Sequence, residues 1–142
     1  MRCTAQLLAF LLLAYTGASP AALGGPPETF DTQAVSQRMT NYVVRETTLA
    51  TGTRVREFVS GSGVVFAVAW DGPFLPDLKA LLGKYFANML AESGRTPKAG
   101  RSRIAMSGSE VVINSGGHMR AFEGSAWLPA EFPPGFTADD VR

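Results

Sequence analysis

The sequence predicts an α+β domain in which an antiparallel β-sheet, laid down in βββ-α-βββ order, carries one amphipathic helix packed on it. Three observations carry this expectation. Apolar and β-branched runs recur at short intervals with Gly-bearing connectors between them; one long segment has apolar residues at spacings of three and four; and a second set of short apolar runs follows it.

The first strand is read over Asn41–Leu49 ("NYVVRETTL"), rich in β-branched and aromatic residues. The second, Thr53–Ser60 ("TRVREFVS"), alternates, with Val55, Glu57 and Val59 on one face and Arg54, Arg56 and Phe58 on the other. The third, Val64–Trp70 ("VVFAVAW"), has no polar side and is expected to be central or covered on both faces. "ATG" and "GSG" between them suit tight hairpins, because glycine accepts positive φ. The helix is expected over Leu75–Ser93, where Leu78, Leu81, Leu82, Tyr85, Phe86, Met89 and Leu90 form one stripe. Pro76 and Asp77 suit its start and Gly94 a left-handed end, while Gly83 in its interior costs about 1 kcal/mol relative to alanine. Three further strands are read at Arg103–Ser107, Glu110–Asn114 and His118–Gly124, divided by turns at "GS" and "SGG". The closing segment is expected to pack irregularly through Trp127, Leu128, Phe132 and Phe136.

Around this domain, the N-terminus has one basic residue, Arg2, an apolar core from Leu7 to Tyr15, and small residues at Ser19 and Ala21, the pattern of a cleavable signal peptide. The chain therefore divides into a signal peptide (1–21), a flexible lead-in (22–40) holding at most a short helix, a single α+β domain (41–136) and a polar tail (137–142). The expected location is the periplasm or the outside of the cell, with no stable membrane insertion after cleavage, because Thr16, Gly17, Ser19 and Pro20 interrupt the apolar run. The single cysteine, Cys3, leaves with the signal, so the mature chain has neither a disulfide nor a thiolate ligand.

Once Arg2 is removed, basic and acidic residues balance, which argues against a general nucleic-acid binder. A basic run at Arg95, Lys98, Arg101 and Arg103 reads as a solvated loop. One histidine without mature cysteines leaves zinc short of ligands; no calcium loop is present, and no cofactor is expected. "SGSG" and "INSGGH" match neither phosphate-binding glycine pattern. Glu46 and Glu57 are the carboxylates to inspect as a pair, with cross-strand pairing to Arg45, Arg54 or Arg56 as the plainer reading. His118 is the candidate base of a small hydrolase, with Ser115 or a carboxylate as its partner.

Three functions remain. The first is a non-enzymatic exported domain that binds an unknown protein or a small polar ligand through Arg45, Glu46, Arg56, Trp70, His118 and Arg120. In it the arginines clamp an acidic group, the indole of Trp70, expected like that of Trp127 to be partly exposed at a strand end, adds apolar area, and His118 adds a directional hydrogen bond. The second is the His118 hydrolase; the third is an envelope-associated structural protein. The segments "YVVRETTLATGTRVREFV", "GVVFAVAWDGPFLPDLKALLGKYF" and "VVINSGGHMRAFEGSAWLPAEFPPGFTADDVR" resemble a family of small exported proteobacterial proteins, domain of unknown function 2844. The resemblance covers essentially the whole mature chain and implies one exported, periplasmic domain; it assigns no role to any residue.

Overall fold

A computed structural model describes residues 23–30, 32–94 and 104–141. The signal segment and the basic run at 95–103 lie outside the described residues. Seven antiparallel strands form one sheet in the order β1-β2-β3-β4-β7-β6-β5. They are β1 (Val35–Arg38), β2 (Tyr42–Thr48), β3 (Arg54–Ser60), β4 (Val65–Gly72), β5 (Ile104–Ser107), β6 (Val112–His118) and β7 (Ala121–Trp127). Two meanders thus join where β4 pairs β7, and β4, apolar on both sides, lies in the middle with Val65 to Trp70 all buried.

The expected helix is present as two, α1 (Leu78–Leu82) and α2 (Phe86–Ser93), joined by a 3-10 turn at Gly83–Tyr85. Gly83 is the cause: at φ 53 and ψ −126 it leaves helical space, while its N–H still closes α1 onto Lys79 O. Asp77 caps α1 by accepting from the amides of Lys79 and Ala80 at 3.0 and 3.1 Å. Gly94 at φ −74 is not the left-handed cap that the sequence suggested. Leu78, Leu81, Leu82, Tyr85 and Met89 bury against Val55, Val59, Val65, Val68, Trp70, Ile113 and Ala126, which forms the helix-side core; Leu90, at the stripe's border, is exposed.

The opposite sheet face is covered in part by the C-terminal segment. Tyr42, Phe58, Phe66, Phe132 and Phe136 make edge-on and tilted ring contacts, the closest being Phe66 with Phe136 at 4.8 Å. A register shift lets both Phe66 and Ala67 reach this cluster, because Val59 pairs Val65 while Phe58 pairs Ala67. Asp140 then accepts from the amide and hydroxyl of Thr137 at 2.7 and 2.9 Å, closing a 3-10 turn at Ala138–Val141 whose Val141 is fully buried. The tail therefore belongs in part to the core.

Three further departures from the sequence reading have physical causes. The lead-in contains β1, and Leu23 is 2% exposed, donating its N–H to Leu81 O and forming a parallel bridge with Val65. β1 has no apolar alternation; pairing with β2 alone makes it a strand. "SGG" is strand rather than turn, and the β6–β7 turn is Met119-Arg120, with Arg120 at φ 67.

Candidate functional site

The pleat assigns alternate residues to opposite faces, and the pairings align those on the tail side into three transverse rows. Arg54, Asp71, Glu123 and Gly116 form the first, running from β3 to β6. Glu46, Arg56, Ala69, Ser125, Asn114 and Ala105 form the second. Val44, Phe58, Ala67, Trp127, Val112 and Ser107 form the third. The aromatic cluster and the tail cover the third row at its β2–β4 end. Over Ser125, Asn114 and Ala105 of the second row lies a half-open trough of about 710 Å³, while Ala69 is buried under the aromatic cluster. Arg56 bounds it on one side, Asp71 and Glu123 on another, and Trp127, Ala138 and Val141 on a third, with Asn114 and Ser125 in the floor. Such a volume falls within the roughly 300–1,000 Å³ of small-molecule sites.

Charge in the trough is nearly balanced. Arg54 holds Asp71 through Nε and Nη2 at 3.3 and 2.8 Å, and Asp71 in turn raises the guanidinium's pKa through that hydrogen bond and its charge. Glu123 lies directly across from Asp71 and is exposed.

The six residues expected to bind a partner do not assemble. Arg56 alone brings its side chain to the trough, and Glu46 is its cross-strand neighbour on the same face. Arg45 faces the helix side, where its Nη1 reaches Glu57 Oε2 at 3.3 Å. Trp70 is not partly exposed: it is 1% exposed on the helix side, its indole lying over Gly124, and parity leaves only its backbone to border the trough. His118 and Arg120 are exposed at the far end of the β6–β7 hairpin. Ser115 and His118, three positions apart on one strand, point to opposite faces, so they form no dyad. No hydrogen bond or ion pair reaches the His118 ring among the described residues.

Glu46 and Glu57 are likewise split between faces, each opposite an arginine: Glu46 across from Arg56, Glu57 across from Arg45. Glu57 is fully buried, and its Oε1 accepts the Glu28 N–H at 2.7 Å. Burial pushes its carboxyl above the ordinary value, against the lowering by the Glu28 amide and Arg45; the nearby Glu28 carboxylate adds to the rise.

Asn114 and Ser125 were missed. The available signal was the density of small residues, Gly116, Gly117, Gly124, Ser125 and Ala126, in text otherwise reading as strand. Among the described residues no group of three or more His, Cys, Asp or Glu side chains is arranged to hold a metal ion, and no helix is long and apolar enough to cross a membrane.

Fold and trough together define a single antiparallel sheet with one face closed by helices and the other half closed by its own C-terminal segment. The chain belongs to the family described as "Protein of unknown function (DUF2844)", whose model matches residues 19–141. No curated protein and no solved structure matches it.

Proposed function

We propose that the protein is an exported, non-enzymatic domain, released by removal of residues 1–21 into the periplasm or beyond, that binds a small polar ligand in the trough. One observation carries this reading. Arg56, Asn114, Glu123, Ser125 and Trp127, drawn from three strands, converge on a concavity that the C-terminal segment leaves uncovered. The hydrolase reading through His118 is not supported, since among the described residues no nucleophile or acid is hydrogen-bonded to the ring.

The two parts are tested separately. Mass spectrometry of protein purified from a periplasmic extract is expected to give a chain beginning at Ala22; an uncleaved chain confined to the cytosol overturns the export half. For the site, the chain has two tryptophans, one buried and one half-exposed at the trough. A metabolite extract that contains the ligand is expected to move the Trp127 indole resonance and leave that of Trp70 unchanged. Shifts centred on the His118–Arg120 turn instead overturn the trough.

A further inference from the structure

We infer that the ligand of the trough is a neutral, hydroxyl-rich molecule of the saccharide class, an inference that rests on the trough's being a binding site. The lining excludes the other chemistries in turn. An anion meets two carboxylates, Asp71 and Glu123, side by side on neighbouring strands against the one lining guanidinium, Arg56, while the Arg54 guanidinium is already taken by Asp71. A cation meets Arg56 on the facing wall, with Arg54 just behind Asp71. A purely apolar molecule buries the Asn114 amide, the Ser125 hydroxyl and the Glu123 carboxylate without giving them partners.

What remains is a neutral molecule that donates and accepts at closely spaced points. Carboxylates only accept, a guanidinium only donates, and an amide does both. A hydroxyl can answer each of them, so a polyol satisfies this mixed lining without any group having to match a particular side chain. Trp127 adds the apolar surface against which the C–H face of a sugar ring packs. A neutral peptide offers donors and acceptors too, but peptides that bind sheets add to a free strand edge. Here the floor is β4, β7 and β6, each paired on both sides, and an edge strand is met only at the rim, through Ile104 and Ala105 of β5.

The test is a two-dimensional NMR titration of the mature domain with maltotriose, cellotriose and chitotriose, against citrate, spermidine and an uncharged Gly/Ser peptide. At least one of the three saccharides is expected to shift the Trp127 indole and Asn114 side-chain amide signals saturably, with the Trp70 indole unmoved. Asn114→Ala, a change at an exposed side chain, is expected to weaken that binding at least fivefold, and Ser125→Ala to weaken it less. Saturable shifts of the same signals by citrate, spermidine or the peptide, with none from the saccharides, overturn the saccharide class and leave the trough standing. Saccharide shifts undiminished in both variants overturn the inference as well. If none of the six probes moves Trp127, the inference falls, and the extract experiment decides whether the trough falls with it.

Discussion

Replacing Arg45 with methionine keeps most of the side chain's apolar stem and removes the cation that, among the described residues, stands beside Glu57. Glu57 is then left fully buried with the Glu28 amide at 2.7 Å and the Glu28 carboxylate nearby. Removing one partner of a buried ion pair ordinarily costs about 3–5 kcal/mol. A ceiling applies, because the carboxyl can take up a proton instead. From its ordinary value of 4.5, staying neutral at about pH 7 costs the folded state about 3 kcal/mol, at 1.36 kcal/mol per pH unit. Arg45 is itself 26% exposed and 3.3 Å away, so the expected loss is about 2–3 kcal/mol near neutrality. The sign follows from the raised carboxyl. Stability from a group whose folded pKa lies above its unfolded value is complete below the unfolded value and is lost as pH rises through the folded one. Arg45→Met raises the folded value further, so its penalty is below about 1 kcal/mol at about pH 4.5 and grows as pH rises past the parent's folded value, which lies above that. Urea titrations at about pH 4.5, 5.5, 6.5 and 7.5 measure it, with Arg45→Met/Glu57→Gln expected to recover much of the loss at neutrality. A penalty that is the same at every pH, or that the second substitution leaves untouched, refutes the reasoning.

Three other substitutions probe the frame around the site, each read by urea unfolding. Gly83→Ala is expected to destabilise by about 1 kcal/mol or more, although alanine is the better helix former, because φ 53 is open to glycine at little cost; a gain in stability means that α1 and α2 can run on as one helix. Gly124→Ala places a Cβ within 2.5 Å of Trp70 Cε2, in a site where the indole is 1% exposed, and is expected to cost about 3 kcal/mol. In a Trp70→Leu background the same change is expected to cost less than half as much, and an undiminished cost places the clash elsewhere. Leu23→Ala is expected to cost about 2–4 kcal/mol; a change under about 0.5 kcal/mol removes Leu23 from the core.

Legibility in the sequence followed the length and strength of each pattern. Alternation at Val55, Glu57 and Val59 is a local property with a period of two, and the pairings keep all three on one face, including the glutamate that looks misplaced there. The "VVFAVAW" run announces the central strand because only a doubly covered strand dispenses with polar residues. The second hairpin failed for the opposite reason. Glycine usually marks turns, but Gly117 at φ 129 lies inside β6 against the backbone of Ala121 and Phe122, and the turn falls on Met119 and Arg120, which have no turn signature. The trough could not be read at all. Ala69, Ser125, Asn114 and Ala105 are neighbours only because β4 pairs β7 across the helical connection and β5 and β6 follow in register. Nothing local in any one of the four strands encodes that order.

The composition of the second row is itself an argument that the trough is kept open. From Ser125 to Ala105 that row holds Ser, Asn and Ala, whereas a sheet face that merely meets water is built more stably from Thr, Val or Tyr. Ala105 is exposed on edge strand β5, opposite Asn114, and borders the trough. Ala105→Val therefore raises strand propensity while adding two methyl groups at the mouth of the cavity. Stability in urea is expected to hold or to rise by up to about 0.5–1 kcal/mol. Binding of whichever probe moves the Trp127 indole is expected to weaken severalfold. A variant that is more stable and binds worse means that concavity, and not folding, accounts for the small residues. A variant that binds as well as the parent places the ligand away from β5 and leaves the small residues of the row without a role in recognition.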